Sequence, residues 1–210
     1  MTGVAATTCG PESGYVIRLI HAAAKGNFLR QLVVEVEDLR RKGKIDEEYL
    51  KTKQAMGCFM ELLDVVDRIT PDPERLDAVK KIFISIYKGR LNDDNDPVPQ
   101  QLLAIGGSLT AGEIILLSAV YKTHQEPAQH VRGESRWDHS AHAWLSVMAS
   151  ETKFKSIALV EIHETSLMDK KLLLPRRHSD HSGIELNSSG QRLTDLGVLL
   201  CKYLCNADNG

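Results

Sequence analysis

The chain has 210 residues, 42% of them hydrophobic and 26% charged, with a net charge of −2. That composition supplies a real core and fits one large domain or two small ones. It exerts no general pull on nucleic acid or anionic membrane, and no apolar run approaches the ~20 residues that span a bilayer.

Met1–Ser13 is small and polar, lacks the basic and apolar segments of a signal peptide, and reads as a disordered tail. The four cysteines, Cys9, Cys58, Cys201 and Cys205, are scattered and accompany no secretory signal. They point to a reducing cytoplasm, not to a disulfide framework.

Residues 14–91 read as a helical region. Val16–Ala24 is helical, and Gly26-Asn27 is expected to interrupt or kink it before Leu29, Leu32, Val36 and Leu39 recur on one face. Gly43 supplies a C-terminal stop. Asp46 then caps a second helix whose stripe is Tyr49, Thr52, Met56, Phe59, Leu63 and Val66, so the two form an antiparallel helical hairpin. Asp72-Pro73 starts a third helix with Leu76, Val79, Phe83 and Ile86 on its buried side. The stripes are too short for a sustained coiled coil. They pack on one another, or they furnish a surface for a protein partner or a homo-oligomer. The basic turn Arg40–Lys44 reads as a solvated run between helices.

Residues 92–107 read as a linker. Asn92–Asp96 is acidic, but the glycine and glutamate that a calcium loop needs at its sixth and twelfth positions are missing. Gln100–Ile105 is compatible with a short helix.

Residues 108–206 read as a second unit, followed by a tail at 207–210. Thr110-Ala111-Gly112-Glu113 is a capping box at the head of a helix. Asp138 caps another, His139–Ala149, and Thr152–Met168 is a third. Within it, the apolar run Ile157–Ile162 fits a buried helix or a strand. Leu172–Arg177 and Ile184–Asn187 form a hairpin turning through His178–Gly183, and Thr194 caps a last helix with Leu193, Leu196, Leu200 and Leu204 on one face.

The order helix, helix, helix, hairpin, helix, together with Leu193-Thr194-Asp195-Leu196-Gly197, resembles a winged helix-turn-helix domain. The phrase is similar to the "L-T-x-x-G" segment that follows the wing in MarR-like regulators. More loosely, the whole chain resembles the abortive-infection alpha family of bacterial phage-defence proteins. The expected fold is mainly α: an N-terminal helical hairpin region plus a C-terminal winged-helix-like domain with a small β-hairpin.

The resemblance implies a DNA-binding regulator or a defence-associated protein. Its candidate DNA contacts are Lys153, Lys155, Lys170, Lys171, Arg176 and Arg177. Against this, residues 108–206 carry eleven Lys/Arg and eleven Asp/Glu, whereas a duplex-binding unit is ordinarily basic. A protein-interaction or oligomerisation subunit without DNA binding is the alternative.

Seven of the eight histidines follow Ser108. His139 and His142 are three apart, and His163 lies on the next helix, which makes a third reading, a His-based metal site. There is no H-E-x-x-H, paired C-x-x-C, phosphate loop or nucleophile elbow. No cofactor and no enzymatic activity are expected.

Overall fold

The computed structural model describes residues 11–69, 72–88, 98–125, 141–180, 183–186 and 192–205, with side chains for 23–69, 72–88, 98–125, 144–176 and 192–205. Over these the protein is mainly helical. Both expected tails lie largely outside the described residues, as do the acidic stretch Asn92–Asp96 and the expected cap Asp138.

The first element, α1 (Pro11–Arg41), is one continuous helix of 31 residues. Gly26-Asn27 does not break it, contrary to the expectation above. A single glycine costs a helix about 1 kcal/mol against alanine, less than the apolar contacts on either side recover. Phe28 and Leu32 are buried, and Leu29, Val36 and Leu39 pack at the edge of the core. Gly43, with φ of +65°, ends the helix as anticipated. Its N–H donates to the Arg40 carbonyl and the Lys44 N–H to that of Leu39, the paired bonds of a Schellman cap.

The expected second helix is two. Asp46 caps the single turn α2 (Glu47–Leu50), accepting from the amides of Glu48 and Tyr49. Thr52 then caps α3 (Lys53–Arg68) by accepting from the Ala55 amide. This break resets the helical phase. The buried face of α3 is Ala55, Cys58, Leu62, Val65 and Val66, while Met56 and Phe59, expected inside, are exposed. The next helix, α4 (Pro73–Tyr87), follows its sequence signature: Asp72 caps it, Pro73 opens it, and Val79, Phe83 and Ile86 are buried.

From Val98 onward the expected linker is helical. α5 (Val98–Ser108) buries Leu102 and Leu103 and packs against α3 and α4. The Arg75 guanidinium donates to the Gly107 carbonyl at 3.0 Å, tying α4 to the end of α5. Then come α6 (Ala111–Gln125), α7 (Ala141–Thr152) and α8 (Ile157–Asp169), which pack on one another. The capping box of α6 forms: Glu113 N–H donates to Thr110 Oγ1 at 3.3 Å, and Thr110 N–H to Glu113 Oε2 at 2.6 Å. The ambiguous run Ile157–Ile162 is helix, capped by Ser156 instead of beginning at Thr152.

After α8 the backbone of β1 (Arg177–Asp180) pairs antiparallel with β2 (Gly183–Leu186), with Arg177 opposite Leu186. Among the described residues, the expected strand Leu172–Arg177 makes no extended pairing over residues 172–176, apart from one isolated bridge. Leu172 and Leu173 instead sink into the core, where Leu173 bridges Leu193. Finally α9 (Asp195–Cys205) returns along α4. Ser85 Oγ donates to the Tyr203 carbonyl at 2.9 Å across that contact. Buried side chains from α1 through α9 form one connected cluster. Among the described residues, no single helix is long and apolar enough to cross a membrane.

Candidate functional site

The phrase Leu193–Gly197 has a clear local logic. Thr194 Oγ1 accepts from the Gly197 amide at 3.0 Å and donates to the Lys171 carbonyl at 2.7 Å. One hydroxyl thus caps α9 and holds it to the end of α8. A Cβ on Gly197 would land on the Leu172 carbonyl oxygen, so glycine is what lets the two segments touch.

Beside this junction lies a buried charge centre. Arg192 is 0% and Glu164 1% exposed, and Arg192 Nη2 sits 2.7 Å from Glu164 Oε1. The same oxygen takes Arg176 Nε at 3.0 Å. Arg192 also donates to the Leu174 carbonyl at 3.1 and 2.8 Å, and its guanidinium carbon lies 4.1 Å from the centre of the Trp144 ring. Burial lowers the Arg192 pKa, with Glu164 opposing the shift. The arrangement pins α7, α8, the start of the ribbon and α9 together.

A second buried carboxylate does similar work at the other side of α8. Glu113 Oε1 meets Lys170 Nζ at 2.5 Å, and Lys170 also donates to Ser166 Oγ at 2.8 Å. Burial acts to raise the Glu113 pKa, but its bonds to Lys170, Ser166 and Thr110 outweigh that and hold it below the ordinary carboxylate value.

Of the six candidate DNA contacts, five have described side chains. Lys170 and Arg176 are engaged by buried carboxylates, and the Arg177 side chain lies outside the described residues. Lys153, Lys155 and Lys171 are exposed, the first two before α8 and the third after it. Between them, Ile157–Asp169 contains no lysine or arginine. The solvent strip of α8 is Ala158, Leu159, Glu161, Ile162, Thr165 and Asp169. Ile162 is 61% exposed and Leu159 40%.

Of the three candidate metal ligands, only His163 has a described side chain. His139 lies outside the described residues, and only the backbone of His142 is described. His163 is packed: its ring is 5.4 Å from that of Phe154, and it fills the space above Gly112, where a Cβ would collide with it. Among the described residues, no three His, Cys, Asp or Glu side chains group as a metal site.

Sequence reasoning missed the Glu164–Arg192 pair. Its signal was a carboxylate in phase with the apolar stripe of its helix, since Val160, Glu164 and Leu167 are all buried. Comparison with known proteins adds no relative: no family model, curated protein or solved structure matches the chain.

Proposed function

We propose that this chain is a non-enzymatic protein-binding module in which a winged-helix-like unit presents α8 to another protein. The observation that carries this reading is the composition of the α8 strip. In a DNA-reading winged helix, the corresponding helix offers polar and basic side chains to base edges, with phosphate contacts around them. Here the strip offers Ile162 and Leu159, flanked by Glu161 and Asp169. An exposed aliphatic pair gains from burial against a protein surface at roughly 25 cal/mol per Å² of apolar area. Carboxylates in the same strip oppose a phosphate backbone. The resemblance to MarR-like and abortive-infection proteins is compatible with a regulatory or defence role exercised through such contacts.

A photo-crosslinking amino acid in place of Ile162, introduced into the full chain in its native host, tests the reading. The expected product is an adduct that protease removes and nuclease does not. A nucleic-acid adduct, or none, would contradict it.

The second reading is DNA binding through Lys153, Lys155 and Lys171, and one observation favours it. Lys153 and Lys171 occupy the left-handed backbone region, with φ of 58° and 61°. Lys171 stands at the glycine position of a Schellman cap: its N–H donates to Met168 and that of Leu172 to Leu167. A lysine kept where glycine is favoured by about 1 kcal/mol suggests a use for its side chain.

A further inference from the structure

We propose that two copies of this chain associate through α1, in an antiparallel pair with a two-fold axis between Val33 and Val34. The buried side of α1 is Phe28 and Leu32, with Leu29, Val36 and Leu39 beside them. Its opposite side carries Arg30, Val33, Val34, Glu37 and Arg41, at three- and four-residue steps that place them along one face. Val33 is 65% and Val34 69% exposed, although both lie in the middle of a long helix. Two adjacent β-branched aliphatics there add nothing to the fold of one chain. β-branched residues are also slightly poorer helix formers than the polar residues that would serve on a free surface.

The charges around this pair identify a second copy as the occupant. With the axis between Val33 and Val34, the two valines of each copy face those of the other. Arg30 of each copy then faces Glu37 of the other, giving two reciprocal ion pairs on either side of an aliphatic centre. Arg41 falls over Gly26, which has no side chain and nothing within 4 Å of its Cβ position. A parallel pairing would set Arg30 against Arg30 and Glu37 against Glu37, so charge selects the antiparallel arrangement. Among the described residues, Glu37 is met only by its own helix, with Arg41 at 3.5 Å and Arg40 at 4.0 Å, all exposed. Such pairs contribute little, so exchanging them for contacts with a second copy costs little. The surface is remote in sequence from α8, and the proposal is independent of what α8 binds.

The test is sedimentation equilibrium on the full chain and five variants, with circular dichroism confirming that each is folded. The wild type should show a concentration-dependent dimer. Val33→Glu/Val34→Glu should be monomeric. Arg30→Glu alone and Glu37→Arg alone should each weaken the dimer by roughly tenfold or more, because each turns two attractions into two repulsions. The double change Arg30→Glu/Glu37→Arg should restore the dimer. A wild type that stays monomeric overturns the proposal. So does a dimer indifferent to the single reversals, or single reversals that the double change does not rescue. Met60→Glu, on the separate exposed patch of Met56, Phe59 and Met60 on α3, should leave the dimer intact. Loss of the dimer there, with no loss in the α1 variants, assigns the interface to α3 and overturns the proposal.

Discussion

At the residue scale, the decisive groups are two buried carboxylates that consume cations otherwise available to a ligand. Removing one partner of a buried ion pair costs about 3–5 kcal/mol, because the other charge stays behind. Glu164→Gln should therefore lower the unfolding free energy by about that much, read from urea denaturation. Replacing both partners, Glu164→Leu with Arg192→Met, should cost distinctly less than the single change, since the fully buried Arg192 charge is removed as well and Arg176, part-exposed, keeps Glu161 at 3.7 Å. A double variant that loses the sum of the two single losses would contradict the coupling.

Glu113 makes a pH-dependent contribution whose sign follows from its lowered pKa. A carboxylate held below its unfolded value stabilises the fold above the ordinary value of 4.5. That contribution is lost as pH falls through the lower, folded value. Stability measured against pH should thus fall more steeply on the acid side for the wild type than for Glu113→Gln, with the two curves converging at low pH. Parallel curves would remove Glu113 from the account.

At the scale of elements, glycines separate what was legible in the sequence from what was not. Gly43 stands where its sequence context places a stop, whereas the close approach at Gly197 shows only in the fold, against the Leu172 carbonyl. Gly26 was read as a break, but the helix runs through it, because propensity is a weak prior beside the burial of Phe28 and Leu32. Gly26→Ala meets nothing within 4 Å and should raise the unfolding free energy by about 0.4–1 kcal/mol. Gly197→Ala puts a methyl on the Leu172 carbonyl and should lower it by about 1–3 kcal/mol.

The caps at Asp46, Asp72, Thr110 and Thr194 were readable because each is a local bond between near neighbours. The phase of α3 was not. It depends on one irregular step at Lys51-Thr52, after which every side chain turns to a new direction. The start of the ribbon was missed for a related reason. Leu172 and Leu173 look like a strand, yet they serve the core, and Leu173 pairs with Leu193 before the ribbon begins.

At the scale of the whole molecule, charge has been moved inward. The C-terminal half carries equal numbers of basic and acidic residues, and that balance was visible in the sequence. What the sequence left open was which cations are engaged, because Glu113–Lys170 and Glu164–Arg192 join residues far apart in the chain. On the proposed reading, α8 offers an apolar and acidic strip to a protein in place of a basic one to DNA. Fluorescence polarisation with a labelled random duplex at low salt tests it where the non-specific electrostatic term is largest. No saturable binding is expected at micromolar protein. Binding that falls steeply with added salt, and that is lost in Lys153→Ala/Lys155→Ala/Lys171→Ala, would contradict it.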